Sequence, residues 1–330
     1  RHRPRSLSGS RREIVKRGFK VIQPGFLSLY QDSGRHGWHR LGLTTGGPMD
    51  RQAHRWANRL CGNNAQCATL EVTVGGLLLE ASIDTCIAFT GADMTVQINA
   101  VVVDRWQSLS VKRGDRIELG MATAGMRGYL AVSGGFLGTP MFGSLASVPR
   151  EHLGGHRQDG SALQRGDMLH CAALDNRPPC RALPPARRPP RPAQNVRLRV
   201  IRGYQAGEFS GAQQRLFFSS DYRLTKSSDR MGARLAGPAI GSVATALLSE
   251  GICLGAVQIP ADGQPIILLR DRQTIGGYPK IGAVLSLDLD GLAQLPPGGT
   301  VSFESISIEQ AHAAVLLAER KFLATELSEV

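Results

Sequence analysis

Lysine is scarce in this chain, and several familiar motifs are missing with it. Of 39 basic residues only six are Lys (16, 20, 112, 226, 280 and 321), and none of them follows a glycine, so the sequence contains no G-x-x-x-x-G-K-[ST] phosphate cradle. None of the seven methionines precedes a lysine, which removes the Met-Lys site on which biotin is usually carried. ATP or biotin, if used, therefore belongs to another chain. The six cysteines (61, 67, 86, 171, 180 and 253) include no C-x-x-C. Cys86 and Cys253 lie in apolar, strand-like runs that predict reduced, buried thiols and a cytoplasmic setting. There is no G-x-S-x-G nucleophile elbow and no H-E-x-x-H. His36 with His39, and His152 with His156, have spacings a metal can use, but no Cys or carboxylate cluster accompanies them and no metal site is expected. Apolar runs such as Ile266–Leu269 and Ala313–Ala318 fall far short of the ~20 residues that cross a bilayer, so no membrane partner is expected.

The formal charge is +12, and its distribution argues against nucleic acid. Residues 1–17 carry seven Lys/Arg and one Glu, and residues 171–195 carry five Arg and one Asp; together they hold ten of the twelve net charges. The remaining body is close to neutral and offers a phosphate backbone no footprint. Residues 1–17 lack the apolar core of a secretory signal and read as a basic disordered arm.

At 330 residues with 42% hydrophobic content and 39 Gly, the chain is expected to be globular, with two domains. Pro48, followed by Ala53, Trp56, Ala57 and Leu60 at helical spacing, predicts a helix that Gly62 stops. Its other face, with Arg51, His54, Arg55 and Arg59, reads as solvated. Short strands are predicted at 77–80, 85–90, 95–98, 101–106, 108–111, 116–119 and 128–132. A turn recurs as Val111-Lys-Arg-Gly-Asp-Arg-Ile and Leu163-Gln-Arg-Gly-Asp-Met-Leu, and Gly-Asp between apolar runs is read as turn chemistry, not as an adhesion signal. Residues 171–195 hold seven Pro and read as a semi-extended linker. The expected organisation is thus an arm at 1–17, a β-rich part at 18–170, the linker, and a second β-rich part at 196–330. In that second part strands are predicted at 196–202, 245–248, 256–259, 266–269, 283–287 and 300–303. Capping boxes at Ser210/Gln213 and Ser307/Gln310 open two helices, the latter with a stripe at Ala311, Ala314, Val315, Ala318 and Phe322.

Three segments are denser in Gly, Asp, Arg and Gln than a scaffold needs: Gln31-Asp-Ser-Gly-Arg-His-Gly-Trp running on to Asp50, Lys226-Ser-Ser-Asp-Arg-Met-Gly-Ala-Arg-Leu, and Gly255-Ala-Val-Gln-Ile-Pro with Asp271-Arg-Gln-Thr-Ile-Gly-Gly-Tyr-Pro-Lys280. Elaborate turns account for any single one of these residues. The cluster as a whole favours a site, because strand-end loops are where ligands are usually held.

With these residues the sequence resembles the KipA/PxpC family, the C component of 5-oxoprolinase, a biotin-dependent carboxyltransferase-like family that also forms half of the carboxyltransferase region of urea carboxylase. The resemblance runs from Phe19 to the final helix. It rests on Val21-Ile-Gln-Pro-Gly, Gln31-Asp-Ser-Gly-Arg, Gly47-Pro-Met-Asp, Ala57-Asn-Arg-Leu-Cys-Gly-Asn, Leu70-Glu-Val-Thr, Phe89-Thr-Gly-Ala-Asp, Tyr129-Leu-Ala-Val-Ser-Gly-Gly, Ser228-Asp-Arg-Met-Gly-x-Arg-Leu and the Gly255 and Asp271 runs. It implies a mainly β protein with few helices, whose C-terminal part is a cyclophilin-like β-barrel. It also implies a KipI/PxpB-like partner and a further PxpA-like partner, with which such complexes open 5-oxo-L-proline to L-glutamate at the expense of ATP. Two alternatives stay open: a KipA-type regulator that antagonises a KipI-like histidine-kinase inhibitor, and a carboxyltransferase component of a biotin-dependent urea or amide carboxylase.

Residue chemistry suggests the roles. Arg230 and Lys280 are candidates for anion binding, Gln258, Gln273 and Thr274 for orienting polar groups, and Gly276 and Gly277 for presenting N–H donors. Asp229 and Tyr278 complete the expected substrate contacts. Asp271 and Lys280 are the candidate catalytic groups. The expectation is one cationic, glycine-floored hollow formed by the loops after Leu224 and Leu269.

Overall fold

The computed structural model describes residues 17–172, 179–242 and 247–330. The basic arm up to residue 16, part of the linker and the first half of the strand expected at 245–248 lie outside these. Among the described residues the fold is mainly β with four α-helices: α1 (Arg51–Leu60), α2 (Gly211–Ser219), α3 (Asp288–Gln294) and α4 (Ile308–Ala324).

The first half builds a ten-stranded sheet from strands between Gly18 and Cys171. Its spine is the antiparallel pair Thr85–Ile98 and Arg116–Val132. Each of these reads in the sequence as two short strands with a turn between. The structure keeps one continuous strand in each case and absorbs the glycine-rich middle as register shifts between Gly91 and Val96. The two Arg-Gly-Asp segments are turns. In each, the Asp carboxylate accepts from the backbone N–H three residues back, Lys112 at 2.7 Å and Gln164 at 2.8 Å, around a glycine at φ +92°. One core fills this half, from Phe19, Tyr30 and Leu70 to Phe89, Leu130 and Phe136.

The second half is a closed seven-stranded barrel in the order Asn195–Arg202, Lys280–Val284, Ala256–Gln258, Ile266–Leu268, Gly232–Ala236, Tyr222–Leu224, Thr300–Ile306, sealed by parallel pairing of the last strand with the first. The strand expected at 283–287 runs instead from Lys280 to Val284, and Asp288 begins α3, a helix too short to leave a periodic signal. Met49, from the first half, sits in the barrel's own core beside Leu198, Val257 and Leu292.

Helix α1 starts at Arg51 rather than at Pro48, because the Asp50 carboxylate takes the Ala53 N–H (2.8 Å) and makes Asp50 the N-cap. Of its polar face Arg51 is exposed as expected, and the other three residues are covered. His54 is buried against Thr69, and Arg55 and Arg59 clamp α4. Both terminal guanidinium nitrogens of Arg55 lie 2.7 Å from Glu319, Trp56 packs on Phe322 at 4.5 Å, and Arg59 donates to the carbonyls of Phe322 and Thr325. The final helix, expected with the barrel, therefore packs on the first half. Residues Arg181 and Ala182 of the expected linker pair with Ser328 and Glu329, and Leu183 is fully buried beside Trp106 and Ala57. No described helix is long and apolar enough to cross a membrane.

Candidate functional site

The barrel brings its polar loops to two places, and the first is the seam with the sheet. Glu71 lies on Thr69–Thr73, a strand buried at every position. An ionised carboxylate is sustained there only by donors. One oxygen accepts from the Met49 N–H (2.8 Å) and the Tyr129 hydroxyl (2.7 Å), and the other meets Nη1 of Arg230. Arg230 also makes a two-pronged pair with Asp271, Nε to Oδ2 at 2.8 Å and Nη2 to Oδ1 at 3.0 Å, and donates to the Gly47 carbonyl at 2.8 Å.

All three charged groups are buried. Burial works against the Arg230 charge, but Asp271 and Glu71 outweigh it and hold the guanidinium protonated well above its usual value. Burial likewise opposes ionisation of Glu71, yet Arg230 and Arg127 keep its carboxyl below the ordinary range. For Asp271 burial prevails over Arg230 and the carboxyl sits above it. This is a tie between halves. With its charge neutralised by two carboxylates, Arg230 has none to offer a substrate anion, and Asp271 is equally committed.

The second place is a hollow of about 550 Å³ on the barrel, and four of the expected contacts line it: Asp229, Gln258, Gln273 and Tyr278. Gln258 is 1% exposed, and its Nε2 has no hydrogen-bond partner. A buried amide donor left unpaired costs about 1–3 kcal/mol, and this one belongs to a residue at the wall of the hollow. Gly276 lies close to that amide: a Cβ there would stand 2.9 Å from its nitrogen and 2.5 Å from the Ile252 Cδ1, so both side chains would have to shift. Asp229 uses Oδ1 to accept from the N–H groups of Met231 (2.8 Å) and Gly232 (3.1 Å). The hollow is not cationic; Asp229 and Asp262 face one arginine, Arg234, among polar and apolar residues such as Gln264, Met231 and Leu268.

Lys280 stands opposite Gln258 in register, but its Nζ is 2.5 Å from Glu250, which also accepts from Gln205 (2.8 Å) and Tyr204. Hydrogen bonds from Lys280 and Tyr204 lower the Glu250 pKa. Gly277 lies against the Leu247 carbonyl, and Thr274 turns to the opposite side of the loop from Gln273. The single cationic hollow expected from the sequence is thus divided, with Arg230 and Asp271 at the seam, Lys280 paired beside the barrel, and the amide-rich group in the hollow.

The carboxyltransferase domain, subdomain A and B, matches residues 41–305. The chain is 36% identical to the 5-oxoprolinase C component of Escherichia coli over 88% of its own length and 92% of that protein's. The chain belongs to this carboxyltransferase-domain family. It is 35% identical to the 5-oxoprolinase C component of Haemophilus influenzae, with 85% and 89% covered. The Kluyveromyces lactis urea amidolyase structure superposes with a TM-score of 0.86 at 28% identity, over 94% of this chain and 20% of that one.

In this carboxyltransferase-domain chain Glu71, Asp50, Tyr129 and Gln294 also build the seam, and none of them is among the expected site residues. Glu71 had a signal, since a carboxylate inside an apolar strand demands a cation. Gln294 had none: its amide bridges Asp50 (2.8 Å) and the Arg127 carbonyl (2.8 Å) while its oxygen accepts from the N–H groups of Met126 and Arg127. Asp290 takes the Arg51 N–H at 2.8 Å, so carboxylates from both halves cap α1. Burial raises Asp50 to about 6, and burial together with Asp50 raises Asp290 to about 8.

Cys253, expected to be buried, is exposed, because it lies in the connection between the strands Glu250–Gly251 and Ala256–Gln258, where Ile252 takes the inward position (4% exposed).

Proposed function

We propose that this chain is the C component of an ATP-dependent 5-oxoprolinase that opens 5-oxo-L-proline to L-glutamate together with PxpA-like and KipI/PxpB-like partners in the cytoplasm. Supporting this reading are two relatives of that name above 30% identity, each covered over nearly its whole length. The observation that carries it is Gln258, a buried amide whose nitrogen has no partner among the described residues, at the wall of a hollow that Gln264 and Gln273 also line.

A lactam presents one carbonyl oxygen and one N–H. Gln258 Nε2 donates to the oxygen, and Asp229, whose Oδ2 has no partner among the described residues, accepts from the nitrogen. Both contacts strengthen as charge builds on the oxygen when the ring opens. A polyphosphate does not fit here, since two carboxylates face one guanidinium across the hollow. The nucleotide and its chemistry are assigned to the companion proteins, and this chain's share is to hold and orient the amide.

The test is reconstitution with both companions and measurement of glutamate released. Gln258→Met should lower kcat/KM by about 10- to 100-fold, the worth of one buried hydrogen bond to developing charge, while leaving assembly intact. Unchanged turnover in an assembled complex removes the site.

The urea amidolyase likeness favours a second reading, a carboxyltransferase component acting on urea or another amide with biotin delivered by another chain. Avidin-sensitive activity would select it, since 5-oxoproline cleavage should proceed unaffected by avidin.

A further inference from the structure

The segment from Arg272 to Tyr278 separates two cavities. Gln273 and Tyr278 enter the barrel hollow, whereas Arg272, Thr274 and Ile275 line another of about 600 Å³, where His39 and Arg40 of the first half meet Gly251–Leu254 of the second. No carboxylate lines this seam hollow, but Arg40, Arg272 and His39 do.

Arg272 is 6% exposed. Its Nε and Nη1 donate to the carbonyls of Ile252 (3.2 Å) and Leu269 (3.3 Å), and Nη2 has no partner among the described residues. No described carboxylate lies within ion-pair distance of it, in contrast to Arg230, which has two. A guanidinium buried without a counter-ion is held at considerable cost, and its neutral carbonyl partners return little of that. Both halves meet here: the Thr44 hydroxyl lies between the Glu151 carboxylate and the Arg272 carbonyl (2.9 Å) and shares its one proton between them.

We infer that the seam hollow binds an oxyanion, the carboxylate or phosphoryl group of a small molecule, with Arg272 as its buried counter-ion and Arg40 at its mouth. Leu254 and Ile275 offer an apolar wall to the rest of the ligand. Burial and Arg272 hold the His39 imidazole below its usual pKa against the upward pull of the Glu151 carboxylate, and a bound anion would add to that pull. This site lies apart from the barrel hollow and does not depend on the lactam reading.

Cys253, exposed in the same hollow, supplies the reporter. The full chain is alkylated with iodoacetamide, a neutral reagent insensitive to screening, and modification of Cys253 is followed by peptide mass mapping. Inorganic phosphate or acetate replaces chloride at constant ionic strength. An anion at about four times its Kd leaves a fifth of the sites open, so alkylation slows about fivefold. Protection by phosphate alone identifies a phosphoryl ligand, and protection by acetate a carboxylate. Arg40→Ala, a surface change, should weaken protection, and Arg272→Gln should abolish it. The inference is overturned if neither anion slows alkylation at tens of millimolar, roughly the weakest useful affinity, or if Arg40→Ala and a folded Arg272→Gln are protected as well as the parent.

Discussion

Arg230 and Arg272 differ in their counter-ions, although both are buried guanidiniums in the same polar region. Arg230 is held by Glu71 and Asp271, so removing one partner strands the remaining charge. Glu71→Gln should cost about 3 kcal/mol in urea unfolding, and a change under about 0.5 kcal/mol would show the pair to be incidental. The acids capping α1 act through pH. Asp50 and Asp290 titrate at about 6 and about 8 in the folded chain, above the value near 4 of an unfolded aspartate, so between those limits the folded state binds the extra protons. Stability from these groups is therefore greatest at the acid end and is lost as pH rises through that window. Glu71, lowered in the folded state, works the other way, and its contribution disappears on acidification through the carboxylate range. Urea midpoints measured from pH 5 to 9 should decline up to about pH 8 and then level off, and decline less in Asp290→Asn; identical profiles would count against the assignment.

Helices α1 and α4 show how an element acquires its place. Along α4 the expected stripe is the less exposed side: Ala311 is buried and Ala314, Ala318 and Phe322 are half-buried, with Val315 at its edge, while Leu316 and Leu317, off the stripe, are 64% and 67% exposed. Its contact is the far end, where Phe322 lies on Trp56 with the Arg55 guanidinium 3.9 Å from its ring centre and both Arg55 and Arg59 bonding around it. Phe322→Ala should loosen residues 308–324 selectively, at about 2 kcal/mol for a half-buried aromatic, seen as faster amide exchange in α4 with the barrel unchanged. Uniform protection would mean that Phe322 does not seat the helix. The Ser307/Gln310 capping box and the Arg-Gly-Asp turns are legible in the sequence because each closes within three residues, whereas at Ser210 only the serine caps and the Gln213 side chain accepts from the Gly241 N–H instead. The polar face of α1 reads as solvated in the sequence because its partner is more than 260 positions away.

At the scale of the molecule, the two halves are welded rather than tethered. Met49 enters the barrel core, Gln294 and Asp290 reach back to α1, and Arg230 ties barrel to sheet. Calorimetry should give one transition with matching calorimetric and van't Hoff enthalpies; two separated transitions would mean that the seam is not cooperative. Composition and local pattern alone determined the β-rich class, most strands, both capped helices, the absence of a Walker cradle and the segments that carry polar chemistry. These depend on residues a few positions apart, whose backbone preferences act before any tertiary contact forms. Only the folded chain decided that Arg230 finds Glu71 across 159 positions and is neutralised, that Gln273 and Thr274 part into different hollows, and that Cys253 faces outward. Whether a charge is neutralised or available is set by desolvation and by what faces it across the fold, and neighbours in the chain carry no record of that.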